Sequence, residues 1–465
     1  MTSSPYAYTG HLEEPISRAP RSLAARCGEA VADVGLDRAL VILFPVAAVL
    51  LSPGVSSQKI FAMMVAASVW FVALQNCYAR PRLSTAALGT GFVTAVGTMA
   101  GLAAVSLLDF WLPGLGLGSR QLVLMATGVF LASAALEAWT QKGRSRRRLL
   151  FVGADDGIQE SLVELSRNPQ LPFEVIGVVD DVRPGGAGSV PAVGTIGDLG
   201  AILRTDQPDL VVLGPEARRA DALSQVLDAS PLNIRVMDVL HFNEHAFGKV
   251  PVHHISYEWF MSVLHLYQRP YSRFVKRTFD LLVASVALIV LAPILVAVAL
   301  IVRASSSGPI LFRQVRLGEG GKVFEMLKYR TMVDGAEKPG VAVWAKADDS
   351  RVTPAGQVLR RTRLDELPQF WNVIRGDMSI VGPRPERPEF LELLRETVPF
   401  WTRRHLVKPG ITGWAQVRRG YTADTSGTAE KLAYDLYYLK YRSLLLDLAI
   451  IAWTARTVLS GSGAR

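Results

Sequence analysis

Cysteine is nearly absent: the 465 residues contain two, Cys27 and Cys77. That number excludes a disulfide framework and a cysteine-based zinc site. Charge is scarce too. Charged residues make up 20% of the chain and hydrophobic ones 50%, so apolar stretches must be concentrated somewhere. Residues 1–35 are polar and mixed, and without an apolar h-region they predict no cleavable signal peptide. Acids are outnumbered by bases, leaving a net charge of +9. A basic chain favours anionic partners, such as phosphates or anionic lipid.

What is present first is hydrophobic length. Four apolar runs, Ala39–Leu51, Ile60–Tyr78, Ala86–Leu108 and Leu122–Trp139, fill residues 36–141. Arg18, Arg21 and Arg26 precede them, Arg80 and Arg82 divide the second from the third, and a basic cluster from Lys142 to Arg148 follows. The other two loops hold only Lys59 and Arg120. This charge bias predicts four transmembrane helices with both ends cytoplasmic. A fifth run, Leu281–Val302, has bases on both sides and Pro293 near its middle. Spanning would put one basic cluster on the wrong face. Proline kinks a helix by removing a hydrogen bond, so residues 273–303 are expected to form a re-entrant hairpin.

Residues 147–240 alternate apolar strands with amphipathic helices, which predicts a Rossmann-like, doubly wound parallel sheet. The turn after its first strand, Gly153 to Gly157, is not GxGxxG, and Asp155 and Asp156 would repel a pyrophosphate there. The same segment has no tyrosine, which opposes a membrane-bound nucleotide-sugar dehydratase or epimerase. A scaffold, dimerisation or regulatory role is expected instead. His241-Phe-Asn-Glu-His245 lacks the HExxH order, and 241–272 reads as a polar linker.

Chemistry concentrates in residues 304–465. Two strands carry Arg313, Arg316, Lys328 and Arg330, and alternation would line some of these along one face. Then comes RRTRLDELPQFWNVIRGDMSIVGPRPE, residues 360–386. Asp365 and Glu366 stand at the start of a short apolar helix, which begins either at Thr362 as a cap or at Pro368. Adjacent carboxylates diverge by about 100° on a helix, so one can attack phosphorus while the other holds Mg²⁺. Arg363 precedes the pair. Arg384 sits between two prolines that fix its backbone, and its guanidinium fork matches phosphate oxygens.

Five stretches resemble the bacterial sugar transferase family of polyprenyl-phosphate hexose-1-phosphate transferases. They are KRTFDLLVASVALIVLAPILVAVAL, GPILFRQVRLGEGGKVFEMLKYRTM, the 360–386 segment, VKPGITGWAQVRRG and KLAYDLYYLKYRSLLLDLAIIAWT. The four spans and the αβ domain resemble its long branch, which initiates exopolysaccharide or O-antigen repeat units. The resemblance implies transfer of a sugar 1-phosphate, glucose or galactose by preference, from a UDP-sugar to undecaprenyl phosphate with release of UMP. It implies Asp365 as nucleophile, Glu366 as Mg²⁺ ligand and Arg384 as donor-phosphate ligand. Lys276, Arg277 and Asp280 would organise lipid phosphate at the hairpin entrance. It further implies a monotopic catalytic domain on the cytoplasmic face of the bacterial inner membrane. The C-terminal run Leu444–Leu459, apolar with Asp447 inside it, is expected either to form an interfacial helix or to pack on the catalytic core. Membrane lipids and a homodimer partner are expected, and nucleic acid is not. The family's hairpin break is usually Ser-Pro; here it is Ala292-Pro293.

Overall fold

The computed structural model describes residues 64, 67, 68, 90–111, 119–143, 146–153, 155–181, 190–215, 224–226, 228, 234–252, 255, 259–261, 270–333, 335, 336, 349–419 and 425–460. Residues 94–142 belong to one compact unit and residues 143–465 lie in a second. The first apolar run, both cysteines and all of the second run except residues 64, 67 and 68 lie outside the described residues. The third and fourth runs fall on helices α1 (Thr90–Trp111) and α2 (Ser119–Gly143). Among the described residues no single helix is long and apolar enough to cross a membrane.

The second unit opens with five parallel strands: β1 (Arg147–Val152), β2 (Phe173–Val179), β3 (Ala192–Gly194), β4 (Leu210–Leu213) and β5 (Arg235–Asp238), in spatial order β3-β2-β1-β4-β5. The central strands are continuous apolar runs because both faces are covered. Phe151, Ile158 and Val212 pack on one face, and Leu150, Leu199 and Val211 on the other. Helices α3 (Asp156–Arg167) and α4 (Leu199–Asp206) are the crossovers. The parallel αβ expectation therefore holds, with one correction at its edge. The stretch taken for a polar linker from 241 starts inside helix α5 (Val239–Ala246). Val239, Phe242 and Ala246 share a helical face and enter the sheet core. Glu244 misled because its carboxylate, though buried, is satisfied by Trp259 Nε1 at 2.8 Å and Lys440 Nζ at 2.7 Å.

The apolar run around Pro293 is two helices, α6 (Pro270–Val290) and α7 (Ala292–Ser305), bent by 64° at the break. Leu282, Val286, Ile289, Val296 and Leu300 remain exposed along it. Its inner side is tied down. Arg277 donates to Val373 O at 2.6 Å and Ile374 O at 2.8 Å, capping the last carbonyls of helix α9 (Gln369–Arg375).

The rest of the catalytic segment is built from small pieces. Strands β6 (Leu311–Leu317) and β7 (Val323–Tyr329) form an antiparallel hairpin. Helix α8 (Pro354–Thr362) leads to α9, followed by strand β8 (Ser379–Val381), helix α10 (Leu391–Thr397), and strand β9 (Gly410–Thr412), which pairs parallel with β8. Helices α11 (Trp414–Arg419), α12 (Thr425–Tyr441) and α13 (Leu444–Ser460) close the chain. Of the two expectations for the C-terminal run, packing on the catalytic segment holds: α13 buries Leu446, Ala449 and Ile450. Its Asp447 accepts from Tyr438 Oη at 2.8 Å and pairs with Lys276 at 2.7 Å.

Candidate active site

Of the two expected helix starts, Pro368 holds to within one residue, as the N-cap of α9, and Thr362 does not. Thr362 ends α8, and its hydroxyl donates back to Val358 O at 2.8 Å. Arg363 then takes a left-handed conformation, φ 57°, which costs a non-glycine residue about 1–3 kcal/mol and stops the helix. Asp365 and Glu366 follow on a single 3₁₀ turn, Leu364–Glu366. That turn, ahead of Pro368 and α9, aims both carboxylates into the catalytic segment, and both residues are buried.

The two acids are treated differently. Glu366 Oε1 accepts from Lys328 Nζ at 3.1 Å and from Arg384 Nη2 at 2.8 Å. Burial would raise its pKa, but Arg384 and Lys328 outweigh burial and hold the carboxyl far below its usual range. Burial depresses the Lys328 ammonium, opposed by Glu366. Asp365 accepts no hydrogen bond from any described residue. Burial, aided by Glu366, pushes it above its ordinary value against the pull of Lys328 and Arg384.

The basic residues separate by strand alternation. Lys328 lies opposite Phe312, and Arg313 opposite Leu327, so Lys328 shares a face with Arg316 and not with Arg313. Arg316 donates to Pro385 O at 3.0 Å. Arg313 points outward and pairs with exposed Glu325 at 3.2 Å. Arg330 is buried and donates to Ser306 O at 2.8 Å, closing the end of α7. Arg363 adds positive potential near Glu366. At the hairpin entrance, Lys276 bridges Asp280 at 3.0 Å and Asp447 at 2.7 Å. Asp280 accepts from Ile380 N at 3.2 Å, on β8. Together with Arg277, Lys276 and Asp280 dock α6 beside the site.

The Pro-Arg-Pro turn is held through its carbonyls. Prolines 383 and 385 have no N–H, so the stretch cannot build a strand ladder. Pro383 O accepts from Gly410 N at 2.9 Å, Arg384 O from Arg404 Nη2 at 2.9 Å, Pro385 O from Arg316, and Glu386 O from Leu317 N at 2.9 Å. Gly382 is required where the turn leaves β8, since a Cβ there would lie 2.3 Å from Lys408 O. Arg404, Asp435, Asp447 and Asn372 were not among the residues expected from sequence. Asn372 is fully buried, accepts from Leu327 N at 2.9 Å and donates to Glu325 O at 2.7 Å, tying α9 to β7.

Among the described residues no three histidine, cysteine or acidic side chains cluster as a metal cage. Mg²⁺ commonly needs only one or two carboxylates, with phosphate oxygens and water completing its shell. Both donors to Glu366 use Oε1, leaving Oε2 and the Asp365 carboxylate for such a role.

Residues 271–461 match the bacterial sugar transferase family, and residues 117–237 match a CoA-binding domain. Over 359 residues the chain is 34% identical to the UDP-glucose:undecaprenyl-phosphate glucose-1-phosphate transferase of Escherichia coli strain K12, covering 75% of this chain and 74% of that protein. The chain belongs to the bacterial sugar transferase family. Two further sugar transferase relatives differ in extent. The UDP-N-acetylgalactosamine-undecaprenyl-phosphate N-acetylgalactosaminephosphotransferase of Aeromonas hydrophila is 42% identical over 233 residues, 50% of this chain and 54% of its own. The exopolysaccharide production protein PSS of Rhizobium leguminosarum is 43% identical over 185 residues, 38% of this chain and 92% of its own. In this sugar transferase, the αβ domain's helix N-terminus is already filled. Asp155 Oδ1 accepts from Gly157 N at 2.9 Å and Ile158 N at 3.1 Å, where a phosphate would otherwise bind.

Proposed function

We propose that this chain transfers a sugar 1-phosphate from a UDP-sugar to undecaprenyl phosphate and releases UMP, with Asp365 as the nucleophile. The observation that carries the role of Asp365 is the asymmetry of the pair: Glu366 is locked by two cations while its neighbour is buried, uncommitted and beside them.

Asp365 attacks the sugar-bearing phosphorus of the donor. The bond from that phosphorus to the bridging diphosphate oxygen breaks, and UMP leaves with the electron pair. The enzyme then carries the phosphosugar on an acyl-phosphate bond. A phosphate oxygen of undecaprenyl phosphate attacks the same phosphorus and displaces the Asp365 carboxylate, which is regenerated. Arg384 and Lys328 offset charge on the transferring group. Glu366 Oε2 and donor phosphate oxygens would hold Mg²⁺, which supplies further charge neutralisation when bound. The acceptor's position requires a membrane. We infer four N-terminal spans, a re-entrant α6–α7 hairpin and a catalytic segment on the cytoplasmic face of the bacterial inner membrane; the loop charge bias and the 64° bend support that reading.

Full-length protein, Mg²⁺, undecaprenyl phosphate and a panel of UDP-sugars test the reaction. The panel includes UDP-glucose, UDP-galactose and UDP-N-acetylgalactosamine. UMP release is expected with at least one donor and is lost with excess EDTA. No release with any donor refutes the reaction, and EDTA-resistant turnover refutes the metal. For topology, Arg273→Cys and Arg303→Cys are expected to react with a membrane-impermeant reagent from the same face. Labelling from opposite faces means that α6 and α7 span.

A further inference from the structure

Arg404 lies in the 3₁₀ segment Trp401–Leu406 and is almost wholly enclosed, 3% exposed. Its cation sits 4.4 Å from the Trp401 ring centre. One end of its fork, Nη2, donates to Arg384 O at 2.9 Å and lies 2.8 Å from Asp435 Oδ2 on α12. The other end, Nη1, reaches Glu386 Oε1 at 3.4 Å. Asp435 is 2% exposed. Arg404 thus grips the backbone of Arg384 and the side chain two residues later, and is itself anchored to a different helix.

This arrangement answers an electrostatic difficulty. Arg384 must present its guanidinium to Glu366 and to donor phosphate with a second arginine directly behind it. Two carboxylates, Asp435 and Glu386, flank Arg404 and offset its charge behind Arg384. Among the four donors holding the turn, two are backbone N–H groups, which almost any side chain would leave in place. Arg316 holds the following carbonyl. Arg404 holds the carbonyl of Arg384 itself.

We propose that Arg404 is a positioning residue for donor binding, setting the orientation of Arg384 through its fork without touching substrate. This rests on the reading of Arg384 as the donor-phosphate ligand. A lysine keeps the charge but offers a point donor in place of a planar fork. It can serve the Arg384 carbonyl or the carboxylates, but not both with one geometry.

Arg404→Lys and Arg384→Lys are measured in the full chain, with the UDP-sugar that the unaltered protein uses. Arg404→Lys raises donor KM about tenfold, with acceptor KM unchanged and kcat altered less. A merely structural lesion reduces the active fraction, which lowers kcat at unchanged donor KM, and that result overturns the proposal. Combined with Arg384→Lys, the second change adds little, because both act on one group; multiplicative effects overturn the proposal. Should Arg404→Lys fail to fold, Asp435→Asn replaces it. Weaker anchoring of Arg404 then raises donor KM about threefold, and an unaltered donor KM overturns the inference. If Arg384→Lys leaves donor KM unchanged, it is the underlying reading of Arg384 that falls.

Discussion

Asp365→Asn is expected to lower UMP release by about ten-thousand-fold, the scale on which loss of a nucleophile usually registers. Asparagine preserves size and shape. It disturbs no hydrogen bond with a described residue, because Asp365 accepts none from them. Because burial disfavours the Asp365 charge, the variant's thermal unfolding should come no lower than that of the unaltered protein, which separates lost chemistry from lost fold. The pH profile gives a second readout. Only the ionised carboxylate attacks, so rate rises with pH through the Asp365 pKa. Burial and Glu366 raise that value above 3.8, so the acid limb lies above the range of an ordinary aspartate. Near-normal turnover in Asp365→Asn, or an acid limb at the ordinary value, would remove the residue from its role.

Glu366→Ala is expected to cost both activity and about 3 kcal/mol of stability or more, because it strands two cations. Lys328 and Arg384 converge on one oxygen of Glu366, and the Lys328 side chain is only 16% exposed. Urea unfolding measures the loss. Glu366→Gln keeps an acceptor but no charge, so it should fall between. The pH dependence has a definite sign. Arg384 and Lys328 lower the Glu366 pKa in the fold, so its stabilisation is present above the ordinary value of 4.5 and is lost as pH falls toward the depressed one. An alanine variant as stable as the parent would mean that the ion-pair cluster contributes nothing to the fold.

The alternation of residues 147–240 was legible because parallel strands buried on both faces are unbroken apolar runs. The hairpin break was legible because proline at 293 leaves a helix few options. The adjacent carboxylates were visible too, but not their mounting. That depends on Arg363 in a left-handed conformation, which composition does not announce as a glycine would. Arg277 looked like a phosphate ligand, yet its guanidinium is spent on the carbonyls of α9. Arg404 and Asp435 meet 31 positions apart across separate helices, and no local pattern links them. Asp447 did leave a trace: an acid inside an apolar run needs a partner, and here the partner is Lys276.

Glu244 bears on how far the catalytic segment can stand alone. Its carboxylate joins α5 of the αβ domain to Lys440 and Tyr441 at the end of α12. Trp414 Nε1 donates to Gly248 O at 2.7 Å, and Val250 N to Ala433 O at 3.1 Å. Cutting the chain just before α6 would therefore strip an indole, an ammonium and a backbone carbonyl of their partners at once. In this protein the Rossmann-like portion is less a removable module than a wall of the catalytic one, and the natural seam runs ahead of residue 143 rather than at residue 272.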